Sequence, residues 1–151
     1  MVLVLLALSG CAYRLAPPPR LPEGFTLQFD ANHGELVTLQ GELHREVVRE
    51  LRERFAWRST PDGAVLYLSI DPEVIDVAAR GELGVPTRWS LGIRGSWRLE
   101  SQTHGSLSGR FDATGHASRR EQEQAALATA AASAARAIAG DIEQRMRAAT
   151  R

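Results

Sequence analysis

Lysine is absent from this chain: all 18 of its basic residues are arginine, and 18 acidic residues balance them. A net charge of zero and a pI near 6.9 exclude a nucleic-acid binder whose affinity rests on a large basic excess. Cysteine is nearly absent too. The lone Cys11 excludes a disulfide framework, and without a CxxC pair there is no thiolate zinc site. His33, His44, His104 and His116 lack the H-x-x-x-H or H-E-x-x-H spacing that assembles a metal site, so neither metal nor cofactor is expected. There is no G-x-S-x-G elbow and no Walker-type glycine loop. The carboxylate pairs Glu121/Glu123 and Asp141/Glu143 stand two apart on a helical segment, where side chains do not face each other. The expectation is a binding protein, not an enzyme.

What is present begins at the amino terminus. Residues Met1 to Leu8 are all apolar, too few for a membrane helix of about 20 residues but within the roughly 7 to 15 of a secretory signal's apolar region. Leu8-Ser9-Gly10-Cys11 follows and looks like a bacterial lipobox, in which the cysteine sulfur is lipidated and the cysteine becomes the first mature residue. Small neighbours fit the peptidase, and the thiol carries the lipid. No Lys or Arg precedes the apolar run, so the natural start is expected upstream. The expected division is a lipoprotein signal peptide at residues 1–10, a lipidated Cys11 with a Pro-rich tether at residues 11–24, and one domain at residues 25–151. Within the tether, Ala16-Pro17-Pro18-Pro19-Arg20-Leu21-Pro22 favours extended polyproline geometry. More than one acyl chain on Cys11 holds a protein to a bilayer, each buried methylene contributing about 0.8 kcal/mol.

Phe25, Leu27 and Phe29 alternate with polar residues as in a short half-buried strand. From Glu35 to Ala56, Leu36, Leu39, Leu43, Val47, Leu51 and Phe55 recur every three or four positions and predict an amphipathic helix, with Glu50/Arg54 and Arg49/Glu53 as i,i+4 pairs. Val65 to Ile70 predicts a second strand, bent at Pro72 and continued by Glu73 to Val77, with Ala78 to Pro86 as a connection. Trp89, Leu91, Ile93, Trp97 and Leu99 alternate with polar and basic residues and predict a long strand. Gln102 to Gly105 is a hairpin loop, and Leu107, Phe111 and Ala113 mark the partner strand. Trp89, Trp97 and Phe111 are expected to dominate its packing.

Ser118 to Ala149 predicts a long helix opened by the capping box Ser118-x-x-Glu121, with a stripe of Leu127, Ala131, Ala134, Ile138, Ile142 and Met146. Ten of the fifteen residues from Ala125 to Ala139 are alanine, which permits close approach to a sheet or to a partner protein. The order β-α-β-β-β-α implies an α+β fold: two helices on one face of a mostly antiparallel four-stranded sheet.

By strand parity Arg88, Arg94, Arg98 and Arg110 project from the sheet face the helices leave uncovered. Arginine's planar fork suits bidentate contact with phosphate or carboxylate. The array holds an anionic ligand, lipid phosphate in particular, or an acidic partner surface, or else is a solvated face relieved by Glu100 and Asp112.

Leu8 to Leu15, Leu21-Pro22-Glu23 and this element order together resemble the lipopolysaccharide-assembly lipoprotein family, LptE. Cys11, Tyr13 and Leu15 match its mature Cys-Gly-Tyr-x-Leu start, and Ala12 departs from it. The resemblance implies an outer-membrane lipoprotein facing the periplasm. Its partners would be an LptD-like β-barrel, within which it would sit, and lipopolysaccharide, with no nucleic acid. Ala12, not being aspartate, agrees with outer-membrane sorting, and the family brings no catalytic residues. The competing class is an auxiliary lipoprotein of a lipid-transporting ABC system or a peptidoglycan-synthase activator.

Overall fold

A computed structural model describes residues 17–30, 37–71, 75–80, 83–84, 86–117 and 123–149. Its elements are β1 (Phe25–Phe29), α1 (Val37–Phe55), β2 (Ala64–Asp71), β3 (Ile75–Arg80), β4 (Pro86–Ser101), β5 (Gly105–Ala117) and α2 (Glu123–Ala149). Cys11, His33, Leu36 and the Ser118–Glu121 capping box lie outside the described residues.

The sheet is built around β4. Along one side β5 pairs with it antiparallel from Trp89↔Ala117 to Ser101↔Gly105. Along the other side β2 takes Arg94 to Glu100 and β3 takes Pro86 to Leu91. β2 and β3 thus follow one another along the same side of β4, and the sheet has four strand positions; Pro72 lies outside the described residues. Strand continues to Arg80, beyond the expected end at Val77, with Ala79 opposite Arg88 and Arg80 opposite Pro86 after a register shift. Gly84, at φ 72°, supplies left-handed backbone in the turn between β3 and β4. β1 pairs parallel with β2, and a parallel neighbour requires a crossover, which α1 provides.

Alternation decides which face is dry. Ala64, Leu66, Leu68 and Ile70 of β2 are buried and meet Leu99, Trp97 and Gly95 of β4 across the ladder. Phe111 and Ala113 of β5 extend the same face. α1 closes it with Leu39, Leu43, Val47, Leu51 and Phe55. Full burial of a large apolar side chain contributes about 1.5–3 kcal/mol, so this single core, with Trp97 at its centre, holds the layers together. Trp89 lies on β4 by register, but its side chain is outside the described residues.

α2 uses its alanines against its own domain. Ala126, Ala130, Ala131, Ala134, Ala135 and Ala139 are buried, as are Ile138, Ile142 and Met146, while Leu127 packs half-buried at the margin. The sheet reciprocates with glycine: a Cβ on Gly115 would stand 1.9 Å from the carbonyl oxygen of Ala126. The two helices are joined by Arg54 Nη2, in the last turn of α1, to Glu143 Oε2, in the C-terminal half of α2, at 3.0 Å. Arg54 also pairs with Glu50 at 3.7 Å, as expected. Arg49 instead reaches back to Glu46, three residues earlier and equally near on a helix. α1 ends at Ala56, whose φ of 54° places a non-glycine residue in the left-handed cap position.

Trp57 was not foreseen as a core residue. It is 3% exposed, its ring centroid lies 5.0 Å from that of Phe55 and 6.1 Å from that of Phe25, and its indole N–H donates to the carbonyl of Pro19 at 3.0 Å.

Candidate functional site

The second face of the sheet carries the polar half of every alternation, and no described element packs over it. Register sets its map. One row reads Asp71, Arg94, Asp112 across β2, β4 and β5; the next reads Ser69, Ser96, Arg110; the third reads Tyr67, Arg98, Ser108; the fourth reads Val65, Glu100, Ser106. The three arginines whose side chains are described share this face, as strand parity implies. Arg88 lies on β4 opposite Ala79, and its side chain falls outside the described residues.

The three differ in what they touch. Arg94 stands between two carboxylates and donates from Nε to Asp112 Oδ2 at 3.0 Å. With both partners more than 60% exposed, such a pair contributes about 0–1 kcal/mol. Arg98 holds its guanidinium carbon 4.7 Å from the centroid of the Tyr67 ring, with Glu100 at 3.5 Å from its Nε. The ring orients the guanidinium and leaves donors available. Arg110 makes no ion pair among the described residues, and its cross-strand neighbour is Ser96.

Arg98 and Arg110 are thus diagonal neighbours on β4 and β5, a spacing of about 7–8 Å between Cα atoms, with Ser96 and Ser108 on the other diagonal. All four side chains are exposed on this face. Two fork-shaped donors and two hydroxyls at neighbouring ladder positions suit the oxygens of a phosphoryl group. The register narrows the arginine array accordingly: Arg98 and Arg110 are diagonal neighbours, while Arg94 is paired with Asp112.

On the helix side of β5, Asp141 accepts from Trp97 Nε1 at 3.1 Å and from Arg145 Nε at 2.9 Å. A Cβ on Gly109 would sit 2.0 Å from that carboxylate, so the missing side chain is what lets the bridge form. This cluster is structural. Among the described residues no three His, Cys, Asp or Glu side chains gather to hold a metal. His44 and His116 are exposed, and the ring of His104 meets the carbonyl of Arg20 at 2.8 Å.

A second polar cluster, missed in the sequence because its members are far apart in it, ties the tether to the sheet. The Glu23 carboxylate accepts from Ser101 Oγ at 2.5 Å and Thr103 Oγ1 at 2.8 Å. Burial pushes the Glu23 carboxyl up, but bonds from Ser101, its own backbone and Thr103 outweigh that and bring it down to about 2. Glu143 is also held below the usual carboxylate range, chiefly by the bond from Arg147, against the cost of burial and with help from Arg54.

No protein-family model matches this sequence, and no curated protein matches it. Solved structures do match its fold. A chain from Caulobacter crescentus assigned as a lipoprotein aligns with a TM-score of 0.59 at 22% identity, covering 82% of this chain and 90% of the other. The rare lipoprotein B of Shewanella oneidensis aligns at 0.55 and 14% identity over 84% and 98%. A minor lipoprotein from Acinetobacter baumannii aligns at 0.54 and 14% over 84% and 95%. At these identities the likeness is one of fold.

Proposed function

We propose that this chain is an outer-membrane lipoprotein subunit of the lipopolysaccharide assembly translocon. Its lipid is carried on Cys11 and its domain faces the periplasm. It assists an LptD-like β-barrel, and its open sheet face binds lipopolysaccharide through phosphate. The observation that carries this reading is the fold shared with several bacterial lipoproteins, a rare lipoprotein B among them, in a chain whose Leu8-Ser9-Gly10-Cys11 has the form of a lipobox. The open arginine face supports it, since Arg98 and Arg110 are exposed diagonal neighbours on β4 and β5. In this role the protein is an adaptor and not an enzyme, and it needs no cofactor.

Affinity purification of the full-length protein from outer membranes tests the proposal. Recovery of a large β-barrel together with lipopolysaccharide is the expected result. Recovery of an inner-membrane transporter or a peptidoglycan synthase in its place would assign the chain to the competing class.

A further inference from the structure

The tether is docked along most of its described length. Leu21 is buried, Trp57 and His104 bind the carbonyls of Pro19 and Arg20, and Glu23 is clasped by Ser101 and Thr103. Thr60 Oγ1 donates to the carbonyl of Glu23 at 3.0 Å, and Gly24 N–H donates to Leu21 O at 3.0 Å. All these partners belong to one end of the molecule. The β4–β5 hairpin turn, the 56–63 loop and the start of β1 meet there, and the last turn of α1 meets the C-terminal half of α2 at the same end. The opposite end carries the β3–β4 turn, with Leu83 91% exposed.

Chain length then fixes which end can meet a bilayer. Six Cα-to-Cα steps lead from Cys11 to Pro17, a span of at most about 20 Å when extended. β4 alone runs 16 residues, about 50 Å at strand rise, so the β3–β4 turn lies far beyond the reach of that segment. Resting on the lipidation of Cys11, we propose that the β4–β5 hairpin end, with the clasped tether residues Pro17–Glu23, is the surface that faces the lipid headgroups, and that the Leu83 turn is the membrane-distal tip. Were the tether a free spacer from Cys11 to Glu23, the domain could tumble and neither end would be favoured. The clasp removes that freedom and makes the anchor directional.

The experiment uses native lipidated protein bound to vesicles that contain a headgroup-attached quencher. With Cys11 occupied by lipid, Gln102→Cys and Leu83→Cys each give a single site for a fluorescent label. Label at residue 102 is expected to be quenched severalfold more than label at residue 83, and Glu23→Gln, which weakens the clasp, is expected to narrow that difference. Equal quenching at both positions, or stronger quenching at residue 83, on vesicles that retain the protein would overturn the orientation while leaving the anchor intact. Failure of the protein to remain on vesicles, with an unacylated sulfur by mass spectrometry, would overturn the anchor and the orientation together.

Discussion

The two faces of the same sheet are made by alternate residues of the same strands, yet they obey different physics. On β4, Ile93, Trp97 and Leu99 are sealed under helices while Arg94, Arg98 and Glu100 face water. On the dry side an atom out of place has nowhere to go, and glycine is required where α2 touches β5. On the wet side charges sit in high dielectric, their pairs are weak, and their arrangement is free to serve a ligand. Substitutions should therefore separate cleanly: stability losses on one face, binding losses on the other.

The largest effect is expected from Trp97→Ala, which empties the centre of the core and strips Asp141 of its indole partner; a loss of about 3–5 kcal/mol in denaturant unfolding is the expected outcome. Gly115→Ala comes next. Its new methyl would meet the Ala126 carbonyl, backbone that cannot swing aside, and overpacking of this kind costs about 1–3 kcal/mol. A Gly115→Ala protein as stable as the parent would mean that α2 does not press on β5 as described.

Glu23 belongs to neither face, being polar yet tied down. A carboxyl whose folded-state value is depressed from 4.5 to about 2 stabilises the fold above pH 4.5 and loses that contribution as pH falls towards 2. Acid titration of the parent and Glu23→Gln should show stabilities that converge in that window and differ above it. A gap that instead widened as the pH fell would contradict the clasp. The smallest effect is expected from Arg94→Gln, at most about 1 kcal/mol because the Asp112 pair is exposed; a thermal melt checks it.

Much of this was legible in the sequence because period-two alternation survives intact from Ser90 to Thr114. That pattern alone orders the β4–β5 faces and puts Arg94, Arg98 and Arg110 together. The helix stripes were equally clear, since Leu43, Val47 and Leu51 repeat at helical spacing. Three things were not. Ala79 and Arg80 extend β3 through backbone pairing across an irregular register, which no alternation of side chains advertises. The parallel partner of β1 depends on a crossover through α1, which no local pattern encodes. The Glu23 clasp and the Trp57–Pro19 bond join residues 78 and 38 positions apart, and only the folded chain brings them together. Within the arginine array, parity gave the face but not the pairing: Asp112 sits opposite Arg94, and that register leaves Arg110 beside Arg98.

Binding to lipopolysaccharide-containing vesicles by the protein in which Arg88, Arg94, Arg98 and Arg110 are all glutamine tests the central claim most directly. A melting temperature lowered by no more than a few degrees, weaker binding and a flatter dependence of affinity on salt are the expected results, because screening acts on the charges removed. Unchanged affinity and an unchanged salt slope in a folded variant would show that the open face of the sheet does not bind phosphate.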